Sequence, residues 1–431
     1  ASFKFLMPGK YTAKSSYEVY YPGKNGNQDR VTISANQKQT EPNTTAHFGA
    51  SGDCGIAKAT RNATSHEFEF ALDHKAAYLV FKPYTSNDVL KYCYLTKIEV
   101  TSDNDITDTY TLDPTAETNT GALTGTGSGK QIILTTKGDY YGSTYPNGFP
   151  LTNTSANLAT NGAYMVIKPG THTLRIRYWV RDVATGIEGT ITKIIPSHTF
   201  AKNEYVNMEA DLQVKNYDGD NYYMWDAQEQ YWKGYEWTKN LPGNTGQQTL
   251  NGYPSPNYPR SNTDPRYWNE SYPGDRVSNP AIHSCKDLPN VNEMTWYAAK
   301  GDPHSDRDEL WTTMGHLYKG GVWLKKKSQI SGFNANTAVD GSDWRITTKY
   351  QNFPESQTLP SAADANNYFF LPLIGYYESG DLYRVGHYTF YWSSSANPRN
   401  RNSAYSLYVD LGALYVGDSY RYFGYKVGGF E

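Results

Sequence analysis

The stretch LYRVGHYTFYWSSSANPRNRNSAYSLYVDLGALYVGDSYRYFGYKVGGFE, Leu382 to Glu431, decides how the rest of the chain is read. Apolar residues recur two apart at Leu407, Val409 and Leu411 and again at Leu414 and Val416, with Gly412 and Ala413 between. That period, interrupted by two small residues, predicts a hairpin with one buried face. The other face then carries Tyr408, Asp410, Tyr415 and Asp418, and the flanking turns add Asn397, Arg399, Arg401, Tyr420, Arg421 and Tyr422. Large, stiff rings beside adaptable hydrogen-bonding groups are the side chains of binding surfaces, so these are the candidate ligand-binding residues. Trp392, between Tyr391 and Ser393, reads as packing; for Tyr408 and Tyr415, binding and simply covering the sheet are both open.

Composition narrows the classes. A chain of 431 residues corresponds to about two or three domains. Only 38% of residues are hydrophobic, yet 39 are Tyr, so rings must supply much of the core and a disordered chain is not expected. A net charge of -3, without a Lys/Arg stripe legible in the sequence, argues against a nucleic-acid partner. No apolar run reaches the roughly 18 residues that a membrane-spanning helix needs. The chain starts without a charged and then apolar leader, which suits a processed exported chain and a cytosolic one equally. Of the three cysteines, Cys54 and Cys93 form the plausible pair; three buried thiols are the alternative.

From the amino end to about Val214, strand-like segments rich in β-branched and aromatic residues follow one another: EFEFALDHKAAYLVFKP, LTKIEVTSD, KQIILTT, AYMVIKPGTHTLRIRYWVRD, GTITKIIP and YVNMEADLQV. Pro169-Gly170 divides the fourth into two strands around a tight turn, and Ala184-Thr185-Gly186 joins the second of these to the next as a further hairpin. Short strands with Gly/Thr/Asn-rich connections and little helical period predict a β-sandwich. In their order, VYYP, VTISANQKQT, FEFALDHKAAYLVFKP, LTKIEVTS, AYMVIKPGTHTLRIRYWVRD, GTITK and YVNMEADL resemble the fimbrillin domains of Bacteroidetes pilus proteins over about half the chain. The resemblance implies a transthyretin-like sandwich, export as a lipoprotein precursor to the outer membrane, processing at an arginine such as Arg30 or Arg61, and partnership with other pilus subunits by strand exchange.

Residues 215–280 are dense in Pro, Gly, Asn and aromatics and read as a connector ordered by Trp225, Trp232, Trp237 and Trp268 laid on neighbouring domains. Asp218, Asp220 and Asn221 imitate the start of a calcium loop, but the remaining ligands of that pattern are missing and a solvated turn is favoured. The domain from 281 to 431 opens with two expected helices. One, in CKDLPNVNEMTWYAAKGD, is capped by Asn290 or Asn292, shares Met294, Tyr297 and Ala298 on a face and stops at Gly301. The other, in HSDRDELWTTMGHLYKGG, starts with Asp306 three before Glu309 and continues through Leu310, Met314 and Leu317 to Gly320-Gly321. Strands are expected at GVWLKKK, WRITTKY, FFLPLIGYY and TFYWSSS. FLPLIGYYESGDLY, FYWSSSANP, SAYSLYVDLGALYV and YRYFGYKV resemble the C-type-lectin-like fold of Bacteroidetes paralogous surface domains and of retroelement-diversified variable proteins.

The whole is therefore expected to be mainly β with an α+β second domain: a transthyretin-like β-sandwich, 1–214, followed by a C-type-lectin-like domain. Calcium-bridged sugar binding in that fold uses Glu-Pro-Asn or Gln-Pro-Asp with Trp-Asn-Asp. Pro354-Glu355-Ser356-Gln357 and Trp392-Ser393-Ser394-Ser395 stand here instead and build no such cage. A single Cys285 cannot supply the cysteine pair of copper oxygenases of related fold. His283, His304, His316 and His387 lie in the same domain as Ser393 to Ser395 and Asp410, without any motif that positions a triad. Asp306 with Glu309 reads as a helix cap rather than a glycosidase pair. The expectation is a non-enzymatic, cofactor-free fimbrial adhesin binding a host or dietary glycan or glycoprotein, placed at a pilus tip because Phe430 and Glu431 leave no tail to donate as a strand. The rivals are a glycan-active enzyme and a stalk or anchor subunit with a structural second domain.

Overall fold

The computed structural model describes residues 4–116, 123–217, 221–236, 257–268 and 280–431. The chain is mainly β, as expected, with several sheets and one helix of more than two turns among the described residues. It forms two compact units: Ala1–Ser86 with Tyr94–Trp179 and Lys193–Asp211, and Asn87–Cys93 with Val180–Thr192 and Leu212–Glu431.

In the first unit, β1 (Ser16–Tyr21) pairs antiparallel with β4 (Gly55–Arg61), and β2 (Arg30–Ile33) with β7 (Asp108–Leu112). A larger sheet has the order β3 (Asn36–Lys38), β8 (Gln131–Thr135), β6 (Tyr94–Ser102), β10 (Gly170–Arg181), β11 (Glu188–Phe200). A third sheet is β9 (Ala163–Ile167), β5 (Ala77–Tyr84), β12 (Tyr205–Asp211), with β12 parallel to β5 and β9 antiparallel. The near-continuous apolar run of β5 follows from its place. Tyr78 and Val80 pack with Val31, Ile56, Leu112 and Val166, while Phe81, on the other face, meets the Tyr178 ring of β10 at 6.1 Å. The Ala184-Thr185-Gly186 turn does join β10 to β11.

Pro169-Gly170 is not a hairpin turn. β9 pairs with β5, whereas β10 lies in the larger sheet, so the chain changes sheets there. The physical reason is legible in the burial: all five residues of β9 are buried, a strand enclosed on both faces, whereas β10 alternates.

The free edge of β9 is closed by two glutamines. Gln37 donates from Nε2 to Val166 O (2.7 Å) and accepts from Val166 N at Oε1 (2.9 Å). Gln39, two residues on, donates to Gly162 O (2.8 Å) and accepts from Tyr164 N (2.8 Å). A primary amide offers a donor and an acceptor in the spacing of a peptide group, so the two side chains act as a missing neighbouring strand. Both are buried.

In the second unit the helix α1 (Val291–Lys300) is the one expected, with Asn290 and Glu293 forming a reciprocal capping box and Gly301 ending it. The second expected helix is a hairpin, β14 (His304–Thr313) and β15 (His316–Lys325), preceded in the chain by the short β13 (Tyr222–Tyr223). Asp306 does accept from the amides of Asp308 (3.0 Å) and Glu309 (3.2 Å), but this cap-like pattern sits at a register shift between Asp306 and Leu310. Met314 (φ 50°) and Gly315 (φ 78°) supply the two left-handed residues of a tight hairpin turn. Glu309 caps no helix dipole; it accepts from Thr190 Oγ1 (3.1 Å) and Thr192 Oγ1 (2.7 Å). WRITTKY is likewise a turn around buried Trp344 rather than a strand.

Trp225, Trp232 and Trp268 are buried within this unit, packed with Cys285 and Trp392 or with Trp311, Met314 and Tyr377. Trp237, Asp218 and Asp220 lie outside the described residues. All three cysteines are free and buried, so Cys54 and Cys93 are not paired. Burial pushes both thiols up to about 12.

Candidate functional site

The terminal hairpin forms as its alternation requires. β21 (Ser403–Asp410) and β22 (Ala413–Tyr420) pair from Ser403↔Tyr420 to Val409↔Leu414, between β20 (Tyr388–Ala396) and the edge strand β16 (Gln351–Pro354). Leu407, Val409, Leu414 and Val416 join Met294, Tyr297, Leu371 of β17 (Tyr368–Pro372) and Tyr391 in one core cluster. The same period that buries these residues places Tyr408 and Tyr415 opposite one another on the far face.

That face is partly covered. Tyr408 is half-buried, its ring 4.9 Å from Phe390 and 5.4 Å from Tyr388, and its hydroxyl donates to Asp410 Oδ2 (3.1 Å). Burial, with Asp410, pushes the hydroxyl well above its usual range, so it remains a protonated donor. Asp410 Oδ1 accepts from Ala413 N (3.0 Å), holding the turn. Tyr415, half-buried, lies along its strand over Gly417, where an added Cβ would come within 2.3 Å of the ring; its neighbour is the exposed Tyr350 at 6.2 Å. Asp418, also half-buried, is opposite Tyr405.

The turns divide the remaining candidates. Asn397 is buried and forms its turn, its Oδ1 accepting from Arg399 N (2.8 Å) and Asn400 N (3.1 Å); Arg399 and Arg401 are exposed on it. Arg421 is not on the surface. Its guanidinium lies over the Trp225 ring (4.3 Å) and the Trp268 ring (5.5 Å), and Nε donates to Ser403 O (3.0 Å). Strand-like alternation then turns Tyr420 and Tyr422 outward, 50% and 38% exposed, with rings near parallel at 5.2 Å. Trp392 is packing: fully buried, it donates from Nε1 to Tyr223 O (2.8 Å) and meets Tyr425 at 4.3 Å.

The structure adds rings that sequence reasoning left out. Phe423 lies 4.8 Å from Tyr422 and 5.8 Å from Tyr376, and Tyr376 in turn 6.0 Å from Tyr388 and 5.6 Å from Tyr383. Tyr376 and Tyr383 face each other across β18 (Tyr376–Glu378) and β19 (Asp381–Tyr383), whose turn is Ser379-Gly380, both at positive φ. The Ser-Gly dipeptide between two Tyr-bearing pieces was the available signal. A continuous train of rings thus runs Tyr420, Tyr422, Phe423, Tyr376, Tyr388, Tyr408. It can stack on flat apolar ligand faces, with the tyrosine hydroxyls and the Glu378 and Asp410 side chains at hand for hydrogen bonds.

No group of three or more His, Cys, Asp and Glu among the described residues can hold an ion. Ser393 and Ser395 direct their hydroxyls to backbone, Ser395 Oγ accepting Val291 N at 3.0 Å. No helix among the described residues is long and apolar enough to cross a membrane.

No protein-family model matches the chain, and no curated protein matches it. Among solved structures, a candidate cell adhesion protein from Bacteroides ovatus ATCC 8483 is similar at 13% identity and a TM-score of 0.27, over 46% of this chain and 62% of that one. One from Bacteroides uniformis ATCC 8492 has 14% identity and a TM-score of 0.26, over 46% and 67%. One from Bacteroides fragilis NCTC 9343 has 11% identity and a TM-score of 0.23, over 38% and 53%. The chain thus spans about three fifths of the first of these.

Proposed function

We propose that this chain is a cell-surface adhesin whose second unit binds a glycan or glycoprotein through the ring train from Tyr420 to Tyr408. The observation that carries the reading is the outward pair Tyr420 and Tyr422, continuous through Phe423 with half-buried Tyr376, Tyr388 and Tyr408. Exposed rings on a strand-held segment lose little conformational entropy on contact, and each can bury up to roughly 150–250 Å². The rest of the proposal follows the sequence resemblance: a fimbrillin-like first unit, a lectin-like second unit, export through a lipoprotein precursor, and a place at a pilus tip with other subunits joined by strand exchange. It also holds that the protein carries out no catalysis. The test is a glycan and glycoprotein array probed with the intact chain and with Tyr420→Ala/Tyr422→Ala. Loss of a signal in the variant, with the thermal midpoint unchanged, supports the site; an unchanged signal places binding elsewhere. Release of products from mucin or plant glycans would instead establish an enzyme.

A further inference from the structure

We propose that the Asp410–Ala413 tip of the terminal hairpin is a proton-operated latch in which Glu355 takes up and releases the proton. The register of the edge strand pairs Pro354 with Ala413, which sets Glu355 at the first position past the strand, against the tip. Its Oε1 accepts from Gln357 Nε2 (3.2 Å). Its Oε2 is buried and makes no hydrogen bond while the Ser305 hydroxyl, which lies within its reach, donates to Ser356 O (3.3 Å) instead. A buried carboxylate oxygen with no donor committed to it is costly when ionised and cheap when protonated.

The surrounding charges sharpen this. Asp410 faces Glu355 from the hairpin, and Arg307 faces it from β14. Arg307 Nη2 already donates to Leu411 O (2.9 Å), so its fork is shared with the tip. The other charged groups of that strand are engaged: Asp306 with Trp323 Nε1 (3.0 Å), Asp308 with Lys319 (3.1 Å), and His304 with Thr358 O and Asp302. Burial, reinforced by Asp410 and opposed by Gln357, Ser305 and Arg307, pushes the Glu355 carboxyl up to about 7.

With the proton on, Glu355 is neutral and the tip is closed: Asp410 holds Ala413 N and the Tyr408 hydroxyl, and Arg307 pins Leu411. With the proton given up to solvent, two carboxylates share one half-buried strand end. Glu355 and Asp410 then move apart, Asp410 is drawn off Ala413 N, and the Pro354–Ala413 pairing loosens. The latch stands on the geometry of the tip and needs no ligand, so its fate is separate from that of the adhesin reading.

The test follows the side-chain carboxyl carbon of Glu355 by NMR from pH 5 to 9, assigned by its loss in Glu355→Gln, together with the exchange protection factor of the Ala413 amide. The expected result is a Glu355 midpoint near neutrality and at least a tenfold fall in Ala413 protection between pH 6 and 8.5. Protection in Glu355→Gln should stay flat, and Asp410→Asn should lower the Glu355 midpoint. A Glu355 midpoint at the ordinary value of about 4.3, or an Ala413 profile in Glu355→Gln that falls as in the parent, would overturn the latch.

Discussion

Replacing Gln37 by Met tests the reading of the β9 edge most directly. The substitution keeps an unbranched side chain of similar volume and removes the amide alone. Val166 then loses the acceptor of its N–H (2.9 Å) and the donor to its C=O (2.7 Å), in a place where Gln37 itself is only 3% exposed. A buried polar group left without a partner costs about 1–3 kcal/mol, so two should destabilise the first unit by roughly 2–6 kcal/mol. Gln37→Glu keeps the acceptor and loses the donor, and brings a charge into the interior; it should cost at least as much. The assay is urea unfolding followed by a probe in the first unit, with amide exchange at Val166 and Tyr164 as the local readout. Exchange at Val166 should accelerate in Gln37→Met before it does at Tyr164, which is held by Gln39. A stability change under about 0.5 kcal/mol, or an unaltered Val166 amide, would show that water or a backbone shift replaces the amide and that the glutamine closes nothing.

The other expectations are independent of that edge. His74 is raised chiefly by its hydrogen bond to Asp53 (2.8 Å). A raised folded-state value means that its contribution is complete below the unfolded value of about 6.5 and is lost as pH rises through the folded value; His74→Gln should therefore flatten the first unit's midpoint between pH 6 and 8.5 in a thermal melt. Arg421→Met should cost about 1–3 kcal/mol by leaving the buried Ser403 carbonyl without its side-chain donor, and blunt any signal that depends on Tyr420 and Tyr422; denaturation and the array measure the two effects. Native-state titration with a thiol reagent should leave Cys54, Cys93 and Cys285 largely unreacted, and unfolding should release all three.

What the sequence could reveal followed from local rules. The terminal hairpin was legible because apolar alternation and burial coincide on both sides of its turn, from Leu407 to Val416, and α1 because its cap and its stop flank it. The β14–β15 hairpin was not, because Asp306 satisfies amides two and three ahead in a bulge just as it would at a helix start, and because Met314 occupies a left-handed position usually given to Asn or Gly. Its side chain is buried near Tyr377, a tertiary demand that overrides turn preference. The role of Gln37 and Gln39 left no mark in the sequence, since nothing nearby points to the partner strand more than a hundred residues on. Arg421 failed as a surface candidate for the converse reason: the indoles that enclose it come from Trp225 and Trp268, far upstream.

Arg421 and its two neighbours divide a three-residue segment into a peg and a display. The peg is driven inward between indoles, while the flanking rings face out and touch one another and Phe423. Side chains mounted in this way are interchangeable in principle: either outward tyrosine can give way to another shape without unseating the backbone beneath it. A lineage under pressure to meet new surfaces could therefore rewrite positions 420 and 422 freely, provided the arginine between them stays.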